Sequence, residues 1–191
     1  MHSQPDRINL THQFLIAMPG VIDSPFSGSV VYICEHNERG ALGLVINRPT
    51  DIDMSTLFDK IDIKLEIALL QHQPVLYGGP VQTERGFVLH EPQTEPYHSS
   101  LRVPGGLEMT TSKDVLEQVA AGNGPSRFIL TLGYSGWGAG QLEEELAHNG
   151  WLTVPADQAI IFDTPIEARQ QAAMALLGVS PLTLSTEVGH A

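Results

Sequence analysis

The sequence predicts an α+β fold with mixed or antiparallel strand pairing in a single domain, on three observations. Short apolar runs rich in β-branched residues gather in the first half and the clearest helix signals in the second, an order that argues against a doubly wound parallel sheet. The chain has 191 residues, 42% hydrophobic and 17% charged, which suits one folded domain with a sizeable core. No repeat, low-complexity tract or composition shift divides residues 1–191.

Taken in order, residues 1–11 are polar and read as a flexible arm. Residues 13–18 read as a first strand, stopped by Pro19 and Gly20. Residues 29–35 and 41–47 read as two further strands. The polar stretch 36–40 joins them as a hairpin with a turn longer than the two-residue minimum, and Pro49 closes it. Met54, Leu57, Phe58 and Ile61 fall at helical spacing, which predicts a short helix over 54–61. Residues 63–70 fit either strand or helix, and 75–77 and 86–90 read as short strands. Pro92, Pro96, Pro104, Gly105 and Gly106 make 91–106 a long irregular loop.

Three helices come after that loop. Thr111 to Asp114 reads as a helix start, Val115, Leu116, Val119 and Ala120 as its apolar stripe, and Gly122 as its stop. Residues 141–148 form a second helix, with Leu142 and Leu146 on one face and Asn149-Gly150 as the stop. The third has Thr164 as N-cap, Pro165 at its first position and Glu167 completing a capping box. Its stripe is Ile166, Ala173, Met174 and Leu177, and Gly178 ends it. Residues 127–133 and 158–163 read as strands between these helices.

The net charge is −12, from 10 basic against 22 acidic side chains. Phosphate neutralisation supplies most non-specific affinity for nucleic acid, so this balance works against direct DNA binding, and equally against an anionic membrane surface. The single cysteine, Cys34, excludes an internal disulfide and suits a reducing compartment; within Val30-Val31-Tyr32-Ile33-Cys34 it reads as a buried thiol. The run Phe14 to Met18 is too short for a signal-peptide core, and no run approaches the roughly 20 apolar residues of a membrane helix. A soluble cytoplasmic protein is expected.

Three segments could carry chemistry. Gly133-Tyr134-Ser135-Gly136-Trp137-Gly138-Ala139-Gly140 joins a predicted strand to a predicted helix, where glycines and free N–H groups could cradle an anion. It matches no named motif: no lysine follows Gly138, the glycine spacing is not that of a dinucleotide loop, and Trp137 stands where a nucleophile elbow needs glycine. Ser135, Asp163 and His190 follow the order of an α/β-hydrolase triad, without the parallel strands that normally place one. The plainer reading is a tight turn anchored by Trp137. Gly43 inside its strand suggests a bulge or close backbone approach. Beyond that strand, Arg48 could fork onto a carboxylate or phosphate, or could be an ordinary ion pair. Tyr77-Gly78-Gly79-Pro80 is a shaped turn that could wall a pocket. The 8 histidines lack zinc spacing, a metal shared by Glu35-His36 and His90-Glu91 would need long-range contacts, and Glu143-Glu144-Glu145 reads as a solvated helix face.

These blocks together carry a family likeness. Phe14-Leu15-Ile16-Ala17-Met18-Pro19, Glu35-His36-Asn37, the run from Gly40 to Pro49, Tyr77-Gly78-Gly79-Pro80-Val81, Ser112-Lys113-Asp114-Val115-Leu116, Gly133-Tyr134-Ser135-Gly136-Trp137, the run from Gln141 to Leu146 and Trp151-Leu152 resemble the successive blocks of the AlgH/YqgE family, from about residue 10 to the end. The resemblance implies a compact α+β domain of curved, barrel-like β-sheets flanked by about three to four helices, in a bacterial cytoplasm. It also implies a role, described as transcriptional regulation, in exopolysaccharide control. It supplies no catalytic residue. The predicted helices beginning at Thr111 and Thr164 carry one cation each, Lys113 and Arg169, too few for a recognition helix, so a regulatory effect would be indirect.

The expectation is a non-catalytic binding or regulatory domain for a small anionic ligand or a protein partner, without cofactor or metal. The expected site is a cleft: Asn47 and Arg48 for an anion, Gly78 and Gly79 for close backbone approach, and Tyr134, Ser135 and Trp137 for a polar tip and an apolar wall. The alternatives are a small hydrolase or transferase using Ser135, and a direct transcriptional regulator, which the charge disfavours.

Overall fold

One long strand organises the molecule. The computed structural model describes residues 8–18 and 26–178. Its strands are β1 (Gln13–Ala17), β2 (Val30–Asn37), β3 (Gly40–Val45), β4 (Pro49–Asp53), β5 (Pro74–Tyr77), β6 (Val81–His90), β7 (Ser100–Val103), β8 (Leu107–Thr110), β9 (Phe128–Gly138) and β10 (Trp151–Pro155). The helices are α1 (Met54–Lys60), α2 (Lys113–Ala121), α3 (Gln141–Ala147), α4 (Gln158–Phe162) and α5 (Arg169–Leu176). The strand order is β10-β1-β2-β3-β9-β6-β8-β7, with β4 on β5 and β5 on β9. Only β5–β9 is parallel among these pairs; the rest are antiparallel, and the sheet curls into a half-barrel. The α+β class with mixed pairing is therefore the architecture observed, with five α-helices among the described residues rather than three or four.

Alternation along the strands sorts side chains between two faces. On β1 and β2, Phe14, Ile16, Val30 and Tyr32 point into the curl, while Leu15, Val31 and Ile33 point outward. The inner core is plugged by Ile160 and Ile161 of α4 and Ala173 and Met174 of α5. Outside, Leu142 of α3 covers Leu15, Val31 and Trp137. Elsewhere Met54 and Phe58 of α1 and Val115 and Val119 of α2 cover Val88 and Leu130. Each large side chain so buried contributes roughly 1.5–3 kcal/mol, which is why both faces of the sheet need helices.

Several elements differ from expectation for identifiable reasons. The β2–β3 hairpin turns on two residues, Glu38 and Arg39, between the paired Asn37 and Gly40; β2 absorbs the extra residue as a bulge between Ile33 and Glu35, opposite Gly43. Residues 133–138 continue β9 instead of forming a loop, because the sheet pairs them with β3. Pro49 opens β4, and the end of the expected 91–106 loop pairs as β7 with β8, the strand directly after it. Residues 158–162 are helical, with the Asp157 side chain accepting from Ala159 N at 2.9 Å. Short apolar runs do not separate helix from strand, and the adjacent edge is taken by β10, which pairs with β1. Pro165 is extended and the Thr164 hydroxyl donates to Ala159 O, so a 3-10 turn at Ile166–Ala168 precedes α5. Residues 63–70 are irregular and end in a 3-10 turn at Ala68–Leu70. The expected stop at Pro19-Gly20 and residues 1–7 of the arm lie outside the described residues, whereas Leu10 is buried and its N–H donates to His36 Nδ1 at 3.0 Å. No helix among the described residues is long and apolar enough to cross a membrane.

β3 and β5 lie end to end along the same edge of β9, and Gly78 fills the joint. Its carbonyl accepts from Val45 N and its N–H donates to Leu132 O, both at 2.9 Å. A Cβ on Gly79, at φ +153, would stand 2.2 Å from the Tyr134 carbonyl atoms. Backbone cannot yield there. Gly79→Ala is therefore expected to destabilise the fold by about 3 kcal/mol or more, read as a lowered urea midpoint; an unchanged midpoint would show that the crossing is not close-packed.

Candidate functional site

The alternation of β9 decides what its glycine-rich end can do. Ser135 and Trp137 face the layer under α3, and Tyr134 and Gly136 face the other side. Ser135 is fully buried, and its Oγ donates to the Gly78 carbonyl at 3.0 Å. Among the described residues no histidine or carboxylate shares that hydroxyl, Asp163 is engaged by Arg127, and His190 lies outside the described residues. The nucleophile reading of Ser135 therefore loses its geometry. Trp137 and Trp151 both donate their indole N–H to Glu145 Oε1, at 3.2 and 3.0 Å. Gln141 donates to Glu145 Oε2 at 3.1 Å and accepts from Gly138 N at 2.9 Å. The acidic run on α3 is thus not a solvated face: Glu143 binds His36, Glu145 ties two tryptophans, and only Glu144 is exposed.

The seven expected site residues do not line one cleft. Gly78, Gly79, Tyr134 and Ser135 do meet, but as filled packing at the strand crossing. Asn47 serves the backbone, accepting from Val30 N and donating to Gly28 O, both at 2.9 Å. Arg48 is half-buried behind it, with its carbonyl accepting from Tyr77 N at 2.7 Å. Tyr134 and Trp137 alone reach an open groove, about 470 Å³ in volume, shared with Leu42, Val81, Gly136 and, on its rim, Glu35 and Arg39. Tyr134 is held there edge-on against Phe87, with ring centroids 5.3 Å apart.

A second cleft, about 340 Å³, opens between the β5–β9 edge and the α4–α5 connection and includes Gln73, Thr164 and Arg169. Arg169 is only 6% exposed, and burial pushes its guanidinium pKa down. The sequence carried a signal for it. Arg169 stands three residues after Ile166 and four before Ala173, a charge on an apolar helical stripe.

Of the other buried polar groups among the described residues, Ser29 Oγ and Glu108 Oε2 lack a hydrogen-bond partner, whereas His90 is fully engaged. His90 Nδ1 is placed to donate to Glu91 O, and Nε2 to accept from the Thr110 hydroxyl, each at 2.7 Å; Thr110 is bridged in turn to Ser100. Burial holds the His90 pKa below its ordinary 6.5, against the opposing pull of Glu91 and Glu108. Cys34 is fully buried, and burial pushes its thiol up, as the plain reading of its apolar run predicts. Among the described residues no group of three or more His, Cys, Asp or Glu side chains could hold a metal ion.

Residues 14–182 match the model of a family described as AlgH-like. The chain is 74% identical over 184 residues to a UPF0301 protein of Cupriavidus pinatubonensis, covering 96% of each chain. It is 72% identical over 190 residues to one of Ralstonia nicotianae, covering 99% of this chain and all of the relative. The solution structure of the AlgH protein from Pseudomonas aeruginosa is 50% identical, with full coverage of both chains and a TM-score of 0.78. A crystal structure of a Corynebacterium diphtheriae protein, 18% identical over 89% of this chain and 94% of the other, shares the fold at a TM-score of 0.63.

Ser135→Ala is expected to cost about 1 kcal/mol of stability, the worth of one buried hydrogen bond, and a fluorophosphonate probe should leave wild-type Ser135 unlabelled. Mass-spectrometric labelling of Ser135 would restore the nucleophile reading. For His90, the folded state takes up fewer protons than the unfolded chain as pH falls through 6.5. Its stabilising effect is therefore complete above that pH and lost progressively below it. Denaturation midpoints should decline below pH 6.5, and less steeply in His90→Gln; parallel declines would remove His90 as the cause.

Proposed function

The chain belongs to the AlgH-like family, and from that premise we propose that it is a non-catalytic binding domain whose ligand seats in the groove beside Tyr134. The observation that carries this reading is Gly136. It lies in the central strand, is exposed, and carries no side chain where Leu42 opposite it does. A glycine inside a strand weakens it and often marks close approach by a ligand or another backbone. Here a Cβ would crowd the Tyr134 ring at 3.2 Å and stand 3.9 Å from Val81, so the glycine lets that ring lie close beside a peptide plane that stays exposed. Leu42, Val81 and Tyr134 offer apolar walls, and Glu35 and Arg39 offer a charge of each sign at the rim. That lining suits a flat, partly apolar molecule with polar ends.

Direct action on DNA fits poorly. Arg39, Arg85 and Arg102 border three different depressions, and only Arg85 has a second cation, Lys113, on the same one. With a net charge of −12, the chain as a whole repels a phosphate backbone. A regulatory role, as the family resemblance implies, would then run through a bound ligand or a protein partner. A cytoplasmic setting agrees with a single, buried, reduced cysteine.

A thermal-shift screen against nucleotides, phosphorylated metabolites, amides and aromatic acids tests this, run in parallel on Gly136→Val. A ligand at 100 times its Kd stabilises by about 2.7 kcal/mol. The expected result is a hit on the wild type that Gly136→Val, folded by circular dichroism, no longer shows. A hit that survives the substitution would place binding elsewhere, and no hit across the panel would sink the small-ligand reading.

A further inference from the structure

Arg169 is an expensive residue for this fold to hold where it does. Its side chain lies on the apolar stripe that packs Ala173 into the inner core, and it is 6% exposed. Nε donates to Thr164 O at 2.9 Å and Nη1 to Ile46 O at 2.6 Å, which ties α5 to the end of β3. A guanidinium has five N–H donors; with these two spent, three remain. None of the ion pairs among the described residues includes Arg169, and Glu167 acts on it only at longer range. A buried cation without a counter-ion costs free energy that a well-packed apolar side chain would not. Arg169 is part of the wall of the 340 Å³ cleft.

We propose that this cleft is a binding site for a small organic carboxylate, whose head group completes the Arg169 fork and whose apolar body lies along the cleft walls. The planar guanidinium matches a carboxylate in two-point geometry. The walls combine the apolar side chains of Met54, Leu76, Phe162, Pro165 and Ile166 with a nearly equal share of polar surface, to which Gln73 and Thr164 contribute. The volume is at the small end of the range for ligand sites, roughly 300–1,000 Å³, and so selects a compact molecule. Asp163 is also on the wall, but Arg127 neutralises it and lies 5.1 Å over the Phe162 ring, which fixes that side of the cleft. With Asp163 and Arg127 cancelling, Arg169 leaves one net positive charge, which matches a monocarboxylate better than a dianion such as phosphate. This site is separate from the groove beside Tyr134, and shares no lining residue with it.

Isothermal titration and thermal shift of the full chain with butanoate, hexanoate, octanoate and benzoate, against the matching alcohols, test the proposal. At about 10 mM, enough to saturate a millimolar site, at least one acid should bind while its alcohol does not. Gln73 is exposed, so Gln73→Glu places a second carboxylate in the cleft without disturbing the core. It should weaken that acid about tenfold or more. Arg169→Lys should weaken it comparably, and if that variant fails to fold, Gln73→Glu decides alone. Gly136→Val should leave the affinity unchanged, which separates this site from the groove. Equal binding of the alcohol, undiminished binding by Gln73→Glu, or no binding of any acid would overturn the proposal.

Discussion

The crossing of β3, β5 and β9 at Gly78 and Gly79 is the constraint on which the rest of the fold depends. Three strands meet where ordinary sheets join two, and they can do so only because no Cβ separates their backbones. The Gly78 carbonyl takes both Val45 N–H and the Ser135 hydroxyl, so one acceptor joins β3, β5 and β9. From that joint β9 pairs with β6 on its other edge, and the resulting curl creates the interior that α4 and α5 plug.

The same arrangement explains why residues that look chemical in the sequence are structural in the molecule. Trp137 and Trp151 come from strands on different parts of the sheet, and Glu145 of α3 accepts from both indoles. A carboxylate shared by two buried N–H donors fixes the helix over the sheet while satisfying groups that would otherwise be costly to bury. His36 plays a related part, accepting from Leu10 N–H and pairing with Glu143, so the start of the described chain, the β2 hairpin and α3 are joined at one point. Serine, glutamate and histidine here serve to close a polar network around an apolar one.

Two places break that economy. Gly136 leaves β9 without a side chain near its C-terminal end, and Arg169 keeps a guanidinium in the core with donors to spare. Departures from local consistency tend to collect at functional sites. They lie in different depressions and differ in chemistry: one is a peptide plane beside an aromatic wall, the other a fixed positive charge among mixed apolar and polar walls.

The sequence by itself determined the α+β class, the β2–β3 hairpin, α1, α2 and α3, the buried state of Cys34 and the family, because these rest on local periodicity, on turn chemistry and on a run of motifs in order. Alternation in Gly133 to Gly138 was also present to be read, with Tyr134 and Gly136 on one side and Ser135 and Trp137 on the other, but glycine density masked it as a loop. Only the tertiary structure decided that this stretch is a strand, since its pairing partners lie far away in sequence at β3 and β6. That 151–155 is a strand and 158–162 a helix was likewise decided by which segment β1 could pair with. The expected cleft dissolved for the same reason: Asn47, Gly78 and Ser135 each found a backbone partner. Arg169 became a site residue only when folding placed its side chain between the end of β3 and an open cleft.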